Sequence, residues 1–307
     1  MSKTVEMRPW ARKLPTAVVA IFIVAALVIM KAVAYFQSGS VSILASLTDS
    51  VLDSLVSMMA LATIVYAQRP ADEDHRWGHG KIEAVSALVQ ASIIFGGSAF
   101  LVFTSINRFF DPRPIVDHQL GIVVMCVSIV LSLILVLWQR KTLQNEDSLT
   151  IEADNLNYGS DVLLNIGTVI VLLASLYGAP LWLDSVFAIV GAGLMAFLAH
   201  AVFMKALNML LDRELPDEDR NAIIEQIEAH KGVLGWHDLR TRHHGDYYDI
   251  SFDIEVDAEL SLRDAHSITK DLEAQLLELY PNCDVMIHVD PQGFPHDARH
   301  RVKGVHI

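Results

Sequence analysis

Six apolar stretches, each long enough to cross a bilayer, fill the first two thirds of the chain, and an alternating polar–apolar pattern takes over in the last third. The stretches run over about 14–36, 41–67, 81–108, 119–140, 148–177 and 182–207. A helix needs roughly 20 apolar residues to span a hydrocarbon core of about 30 Å, so each stretch predicts one spanning helix. The first follows a basic, polar start with no small-residue cleavage site, which predicts a retained helix rather than a signal peptide.

The apolar run ends near Asn208–Pro216, and shorter patterns follow. Pro216, then Asp217, Glu218 and Asp219, predicts a helix start with carboxylates at the positive end of the dipole. That helix runs to about His230, with Gly232 as its stop. Two strands are predicted over 235–242 and 247–256, joined by a hairpin turn at His243, His244, Gly245 and Asp246. In the second strand Ile250, Phe252, Ile254 and Val256 alternate with Ser251, Asp253, Glu255 and Asp257, the pattern of a sheet with one apolar face. A helix from Ser261 to about Leu279, ended by Pro281, and a strand over 284–289 complete an α-β-β-α-β unit. Its length suits one small two-layer α+β domain.

Acidic residues interrupt two of the apolar stretches. Asp49 and Asp53 fall in the second, and Asp154, Asn157 and Asp161 in the fifth. A carboxylate at bilayer depth costs about 2.5–3.5 kcal/mol even on a lenient scale, so such residues usually face a partner or a pathway. Spacings of three and four place each set on one helix face. Oxygen donors with one amide, Asp49, Asp53, Asn157 and Asp161, suit a divalent metal in tetrahedral or slightly expanded geometry. The competing reading is interhelical glue, but glue of this charge needs a neutralising cation. Lys31 is the nearby candidate, and it is expected one helix away and near a membrane end. Asp154, one turn from the centre, is expected to mark the mouth of the path.

Two further groups carry ligand chemistry. Asp72, His75 and His79 sit within eight residues of one polar loop and could close around zinc, although such loops also collect His and Asp by chance. His237, Asp253, His266, His288 and Asp290 are scattered through the last third, and the alternative for each lone His is surface decoration. His288 and Asp290 share one strand face, because side chains repeat every two residues. No phosphate loop, zinc-protease motif or nucleophile elbow is present, so an enzyme is not expected.

Composition and charge sharpen this picture. The chain is 52% hydrophobic, and its mean hydropathy of +0.38 exceeds that of ordinary soluble proteins. From Asn208 onward 21 acidic residues face 10 basic ones, a net of −11 out of −13 for the whole chain. An acidic module of this kind repels nucleic acid and concentrates cations. Two cysteines, Cys126 and Cys283, indicate neither a disulfide framework nor a Cys-based zinc site. Lys and Arg gather in the N-terminal tail (Lys3, Arg8, Arg12, Lys13), the 69–81 turn (Arg69, Arg76, Lys81) and at Arg140 and Lys141, whereas the 37–40 and 177–182 turns have none. Only Arg108 and Arg113 dissent, which places both termini in the cytoplasm. The organisation is therefore a cytoplasmic tail (1–13), a six-helix transmembrane domain (14–207), a cytoplasmic domain (208–292) and a polar tail (293–307). That tail carries His296, His300 and His306 and is expected to be mobile.

Four segments taken together carry a resemblance. They are Ala45-Ser-Leu-Thr-Asp49-Ser with Asp53, Pro70-Ala-Asp72 with His75 and Gly78-His79-Gly-Lys81, Ala153-Asp-Asn-Leu-Asn157-Tyr with Ser160-Asp161, and His237-Asp-Leu-Arg-Thr-Arg242. In this order, across about 10–292, they resemble the cation diffusion facilitator family. The resemblance implies a homodimeric, proton-coupled antiporter in a bacterial inner membrane that exports divalent cations such as Zn²⁺ or Fe²⁺. It implies six helices per protomer and a metallochaperone-like cytoplasmic domain, with no organic cofactor and no nucleic-acid partner. It further implies that Asp49, Asp53, Asn157 and Asp161 form the transport site, that Asp72, His75 and His79 form a second site, and that the cytoplasmic cluster holds metals bracing the dimer. Lys81 and Asp212 match its interprotomer charge lock.

Two departures matter. The family's zinc-type site has His where this chain has Asn157, and its second cytoplasmic strand commonly has His where this chain has Asp253. Both replace nitrogen with oxygen and favour harder ions such as Fe²⁺ or Mn²⁺ over zinc. An amide cannot titrate, so protons would exchange on Asp49, Asp53 and Asp161. The rival from another class is a metal-responsive sensor or scaffold with incidental transport, which has no need of charges at bilayer depth. A channel fits poorly, because a tight tetrahedral site holds its ion too firmly for fast conduction.

Overall fold

The structure is a computed structural model that describes residues 10–38, 41–110, 119–176, 180, 182–245 and 247–293. The tail residues 1–9, the loop with Arg113, Asp246, and His296, His300 and His306 lie outside the described residues. The chain divides into two compact units, Met1–Leu207 and Asn208–Ile307.

The first unit is a bundle of long helices: α1 (Trp10–Ser38), α2 (Val41–Ala67), α3 (Ile82–Phe110), α4 (Gln119–Leu143), α5 (Leu149–Leu176) and α6 (Trp182–Leu210). Among the described residues, five of them are long and apolar enough to cross a membrane. α5 carries Glu152, Asp154 and Asp161 in its first half and is uncharged from Val162 to Leu176. α1 packs on α2 and α4, and α5 on α2, α3 and α4. Small residues permit close approach: a Cβ added at Gly167 on α5 would fall 1.6 Å from the Phe187 ring on α6. Tyr158 is 1% exposed, in a cluster with Ala20, Val24, Leu135 and Val136.

A buried ion pair ties three parts of this bundle together. Lys13 Nζ lies 3.3 Å from Glu83 Oε1 and donates to the Asp147 carbonyl at 2.7 Å. The Ser148 hydroxyl donates to the other Glu83 oxygen at 2.5 Å. Burying charge is tolerable only when pairing and hydrogen bonds satisfy both groups, as they do here.

The second unit follows the order α7 (Asp217–Ala229), β1 (Gly235–His244), β2 (Tyr247–Val256), α8 (Leu262–Leu279) and β3 (Cys283–Pro291). The sheet order is β1-β2-β3, with β1 antiparallel and β3 parallel to β2. Ile250, Phe252, Ile254 and Val256 form one face of β2 and pack with Ile223, Ile227, Leu272 and Leu276 of the two helices. Each fully buried side chain of this size contributes about 1.5–3 kcal/mol. Ser261 caps α8 by accepting from the Asp264 N–H at 3.2 Å.

Two expectations are corrected here. His243 and His244 are not turn residues: they pair with Tyr248 and Tyr247 at the end of β1, because Gly245 at φ +65° lets the chain reverse later. α7 stops at Ala229 with His230 as its cap, in an extended conformation, so Gly232 is not the stop. β1 also carries an irregularity between His237 and Arg240, where Asp238 adopts φ +53°. Such a bulge re-aims neighbouring side chains.

Candidate metal centres

The acidic face of α2 meets that of α5 inside the first unit. Asn157 donates from Nδ2 to Asp53 Oδ1 at 2.9 Å, and Asp161 lies within hydrogen-bonding reach of Asp53. Asp53 and Asp161 are half-buried, while Asp49, one turn before Asp53, is exposed. Three of the four expected residues therefore gather around Asp53, and the fourth stands next to them on the same helix.

Asp154 is 4% exposed and does not mark the mouth of a path. Gln139 of α4 donates to its Oδ2 at 2.6 Å and Ser57 of α2 to its Oδ1 at 3.2 Å. Ser57 also bonds the Tyr158 hydroxyl at 2.7 Å, so Asp154 belongs to a buried network joining α2, α4 and α5. With both oxygens engaged it is an anchor. Lys31 stands on α1, the neighbouring helix. It is 7% exposed, and its Nζ donates to Ser50 Oγ at 2.6 Å, beside Asp49.

The loop between α2 and α3 brings Asp72, His75 and His79 together, their donor atoms within 4.8 Å of one another. Asp72 folds the loop by accepting the His75 N–H at 2.7 Å and the Asp74 N–H at 3.1 Å. The His75 N–H and imidazole together hold the Asp72 carboxyl below the usual carboxylate range. His79 is the buried member, and its Nδ1 lies 3.3 Å from the Arg69 carbonyl. A carbonyl only accepts, so Nδ1 is the donor of this contact, and Nε2 faces Asp72 Oδ2 at 3.3 Å. A tetrahedral ion with bonds of about 2.0–2.1 Å spaces its ligand atoms roughly 3.3 Å apart. The Asp72–His79 spacing fits, as does the 3.2 Å between Asp72 Oδ1 and His75 Nδ1. The tie from Nδ1 to a carbonyl is also the usual support of a metal-ligating His.

In the second unit His237, Asp253 and Asp290 gather on the sheet face opposite the helices. His237 pairs with Asp253 across β1 and β2 immediately before the bulge. Its Nε2 stands 3.7 Å from Asp253 Oδ2 and 3.6 Å from Asp290 Oδ2, and these spacings too suit a shared ion. His288 reaches Asp290 Oδ1 at 3.2 Å and joins the edge of the cluster. His266 does not join it: it is exposed on α8, in the layer that covers the other face.

Comparison with known proteins covers both units. Residues 17–211 match the model described as cation efflux transmembrane domain, and 215–292 that of the cation efflux protein, cytoplasmic domain. The chain belongs to the cation efflux family. Among curated relatives of this family, the cation-efflux pump FieF of Shewanella oneidensis is 40% identical over 291 residues, covering 95% of this chain and 97% of the relative. The FieF of Serratia proteamaculans is 39% identical over 265 residues, covering 86% and 88%. The second unit is also similar to the metal-bound C-terminal domain of the CzcD transporter from Thermotoga maritima, at 34% identity. That likeness covers 26% of this chain and 93% of the other, with a TM-score of 0.25. The multi-pass architecture and the mixed three-stranded sheet are those of a cation efflux protein.

Proposed function

We propose that this chain is a proton-coupled antiporter that carries divalent transition-metal cations, Zn²⁺ or Fe²⁺ and also Mn²⁺, Co²⁺ or Cd²⁺, out of the cytoplasm. The reading is carried by the meeting of α2 and α5, where Asn157 bonds Asp53 at 2.9 Å at a depth that otherwise disfavours such groups. Asp49, Asp53, Asn157 and Asp161 form the transport site. The Asn157 amide has no proton to exchange, so an arriving ion displaces protons from the carboxylates. The helices that carry the site then rock to face the other side, where protonation expels the ion.

The loop triad Asp72, His75 and His79 and the cluster His237, Asp253, His288 and Asp290 would hold further divalent ions. Three donors from His237, Asp253 and Asp290 leave at least one position of a tetrahedral ion unfilled. The sheet face that carries them is left uncovered by α7 and α8. A second copy of the chain on that face completes the site and brings in His266, which makes the working unit a homodimer. Lys81 and Asp212 would lock the protomers together. Both termini lie on the cytoplasmic side, with the basic loops, in a bacterial inner membrane.

Metal-loaded proteoliposomes test this reading. Asp53→Ala abolishes flux, and native flux follows the pH on the receiving side at fixed metal. Flux that survives Asp53→Ala removes the transport site, and flux indifferent to the proton gradient removes the antiport.

A further inference from the structure

Asp154 is a buried carboxylate that none of the three ligand sets uses. Gln139 of α4 and Ser57 of α2 bond it, and Tyr158 bonds Ser57; all three are buried and none is cationic. The two buried lysines among the described residues are engaged elsewhere. Lys13 pairs with Glu83, and Lys31 donates to Ser50, about two helical turns before Ser57 on α2. Lys205 of α6 pairs with Glu152. The charged groups on the other side are acidic. Ser57–Asp154 and Asp53–Asn157 are successive rungs between α2 and α5, about one turn or 5.4 Å apart. Asp161 lies about one turn further along α5.

The hydrogen bonds fix where a proton can sit. Asn155 donates to Gln139 Oε1 at 3.2 Å, which turns the Gln139 Nε2 donor toward Asp154 Oδ2 at 2.6 Å. Oδ2 is therefore an acceptor, and the place for a proton is Oδ1, opposite the Ser57 hydroxyl. A hydroxyl both donates and accepts. With Asp154 ionised, Tyr158 donates to Ser57 and Ser57 to Oδ1, so every hydroxyl is paired but a charge is buried without a counter-ion. With Asp154 protonated, Oδ1 donates to Ser57 and Ser57 to Tyr158, so the charge is gone but the Tyr158 hydrogen lacks an acceptor. Each state carries one penalty, and a charge at the next rung decides between them. Carboxylates at an empty site oppose a further negative charge there, and a bound divalent ion favours it. We propose that Asp154 is a proton-exchanging residue of the antiport, which holds a proton while the transport site is empty and releases it when a divalent ion binds. The Oδ1–H bond breaks, its electron pair stays on the carboxylate, and the proton passes to the cytoplasmic solution. The inference rests on the assignment of Asp49, Asp53, Asn157 and Asp161 as the transport site.

Zinc, titrated calorimetrically into the full-length protein in detergent, is the probe. Repeating the titration in buffers of different ionisation enthalpy counts the protons released as the ions bind. Asp154→Asn offers Gln139 an acceptor and Ser57 a donor, as the protonated acid does, but has no proton to give. It binds the native number of zinc ions and releases about one proton fewer per protomer. Asp154→Ser is equally unable to titrate, shows the same loss and serves where the Asn variant is poorly folded. The infrared carbonyl absorption of protonated carboxyl groups falls when zinc is added to the native protein, and it falls by a smaller step in both variants. The loop and cytoplasmic clusters are common to all these chains and cancel in the comparison. The proposal is overturned if both variants release as many protons as the native chain, or if both bind fewer zinc ions, which would make Asp154 a ligand or a support of the site. Either result beside an Asp53→Ala variant that loses one ion together with its protons sinks only the role of Asp154. An Asp53→Ala variant that binds and releases like the native chain sinks the transport-site assignment itself.

Discussion

Replacing Asp253 with Asn should stabilise the second unit without metal and leave it the less stable of the two chains once metal is supplied. In the metal-free protein the Asp253 and Asp290 carboxylates lie within 4.8 Å of each other and of His237 Nε2. At that separation two unit negative charges repel by about 3.5 kcal/mol at an effective dielectric of about 20. The neighbouring imidazoles offset part of this, and the two carboxylate side chains remain 19% and 27% exposed. After screening, removal of one charge should return about 1–2 kcal/mol. A divalent ion reverses the sign. It stabilises the native unit by about 2.7 kcal/mol at a hundredfold excess over its Kd, and the weaker amide donor forfeits most of that gain.

Urea unfolding of the stretch 208–293 reads both terms. Trp236 is its sole tryptophan and packs against the core, so its fluorescence follows the transition. Protein concentration must be held fixed, because association also shifts the midpoint. The expected result is a crossover: Asp253→Asn unfolds later than native in chelator and earlier in metal. A variant that unfolds earlier in chelator shows that no repulsion is stored between these carboxylates. Equal metal-induced shifts in both chains show that Asp253 is not a ligand.

Other substitutions test neighbouring parts of the argument. Asn157→His should raise zinc flux relative to manganese or iron in vesicles, because imidazole suits zinc better than an amide oxygen does; unchanged ratios would mean that this position does not set preference. Gly167→Ala should cost at least about 1–3 kcal/mol by overpacking, since its methyl group would overlap the Phe187 ring; thermal unfolding in detergent measures the loss. Burial pushes the Asp249 carboxyl up, but His244 and Arg242 outweigh it and hold the group below the usual carboxylate range. Its stabilisation is therefore full above the unfolded value of about 3.9 and is lost as pH falls through the folded value. Asp249→Asn should cost about 1 kcal/mol at neutral pH and nothing at low pH, as urea midpoints across pH will show.

The spans and the α-β-β-α-β order are legible in the sequence because both are periodicities, and burial enforces a periodicity along a whole element. The face of β2 that carries Ile250, Phe252, Ile254 and Val256 is one instance: a shift of one residue would put four charged or polar groups into the core. Single residues are harder. Asp154 shares a helix face with Asn157 and Asp161, and nothing local says that Gln139 and Ser57, on two other helices, take both its oxygens. Lys31 escapes a local reading for the same reason, since its reach depends on how α1 lies along α2. The bulge at Asp238 has no mark in the sequence beyond an Asp, a residue that tolerates positive φ. His266 groups with the strand ligands by residue type alone, and a sequence does not tell which layer a helix covers.

What separates the legible from the illegible is the size of the penalty that each residue would pay if misplaced. A carboxylate exposed to lipid is so unfavourable that sequence position alone assigns Asp53 and Asp161 a partner, and the fold supplies Asn157 for Asp53. In the fold Lys31, 7% exposed, donates to Ser50 beside Asp49, under the same constraint with the opposite sign. Exposed histidines such as His266 carry no such penalty in either place, so sequence position assigns them no partner.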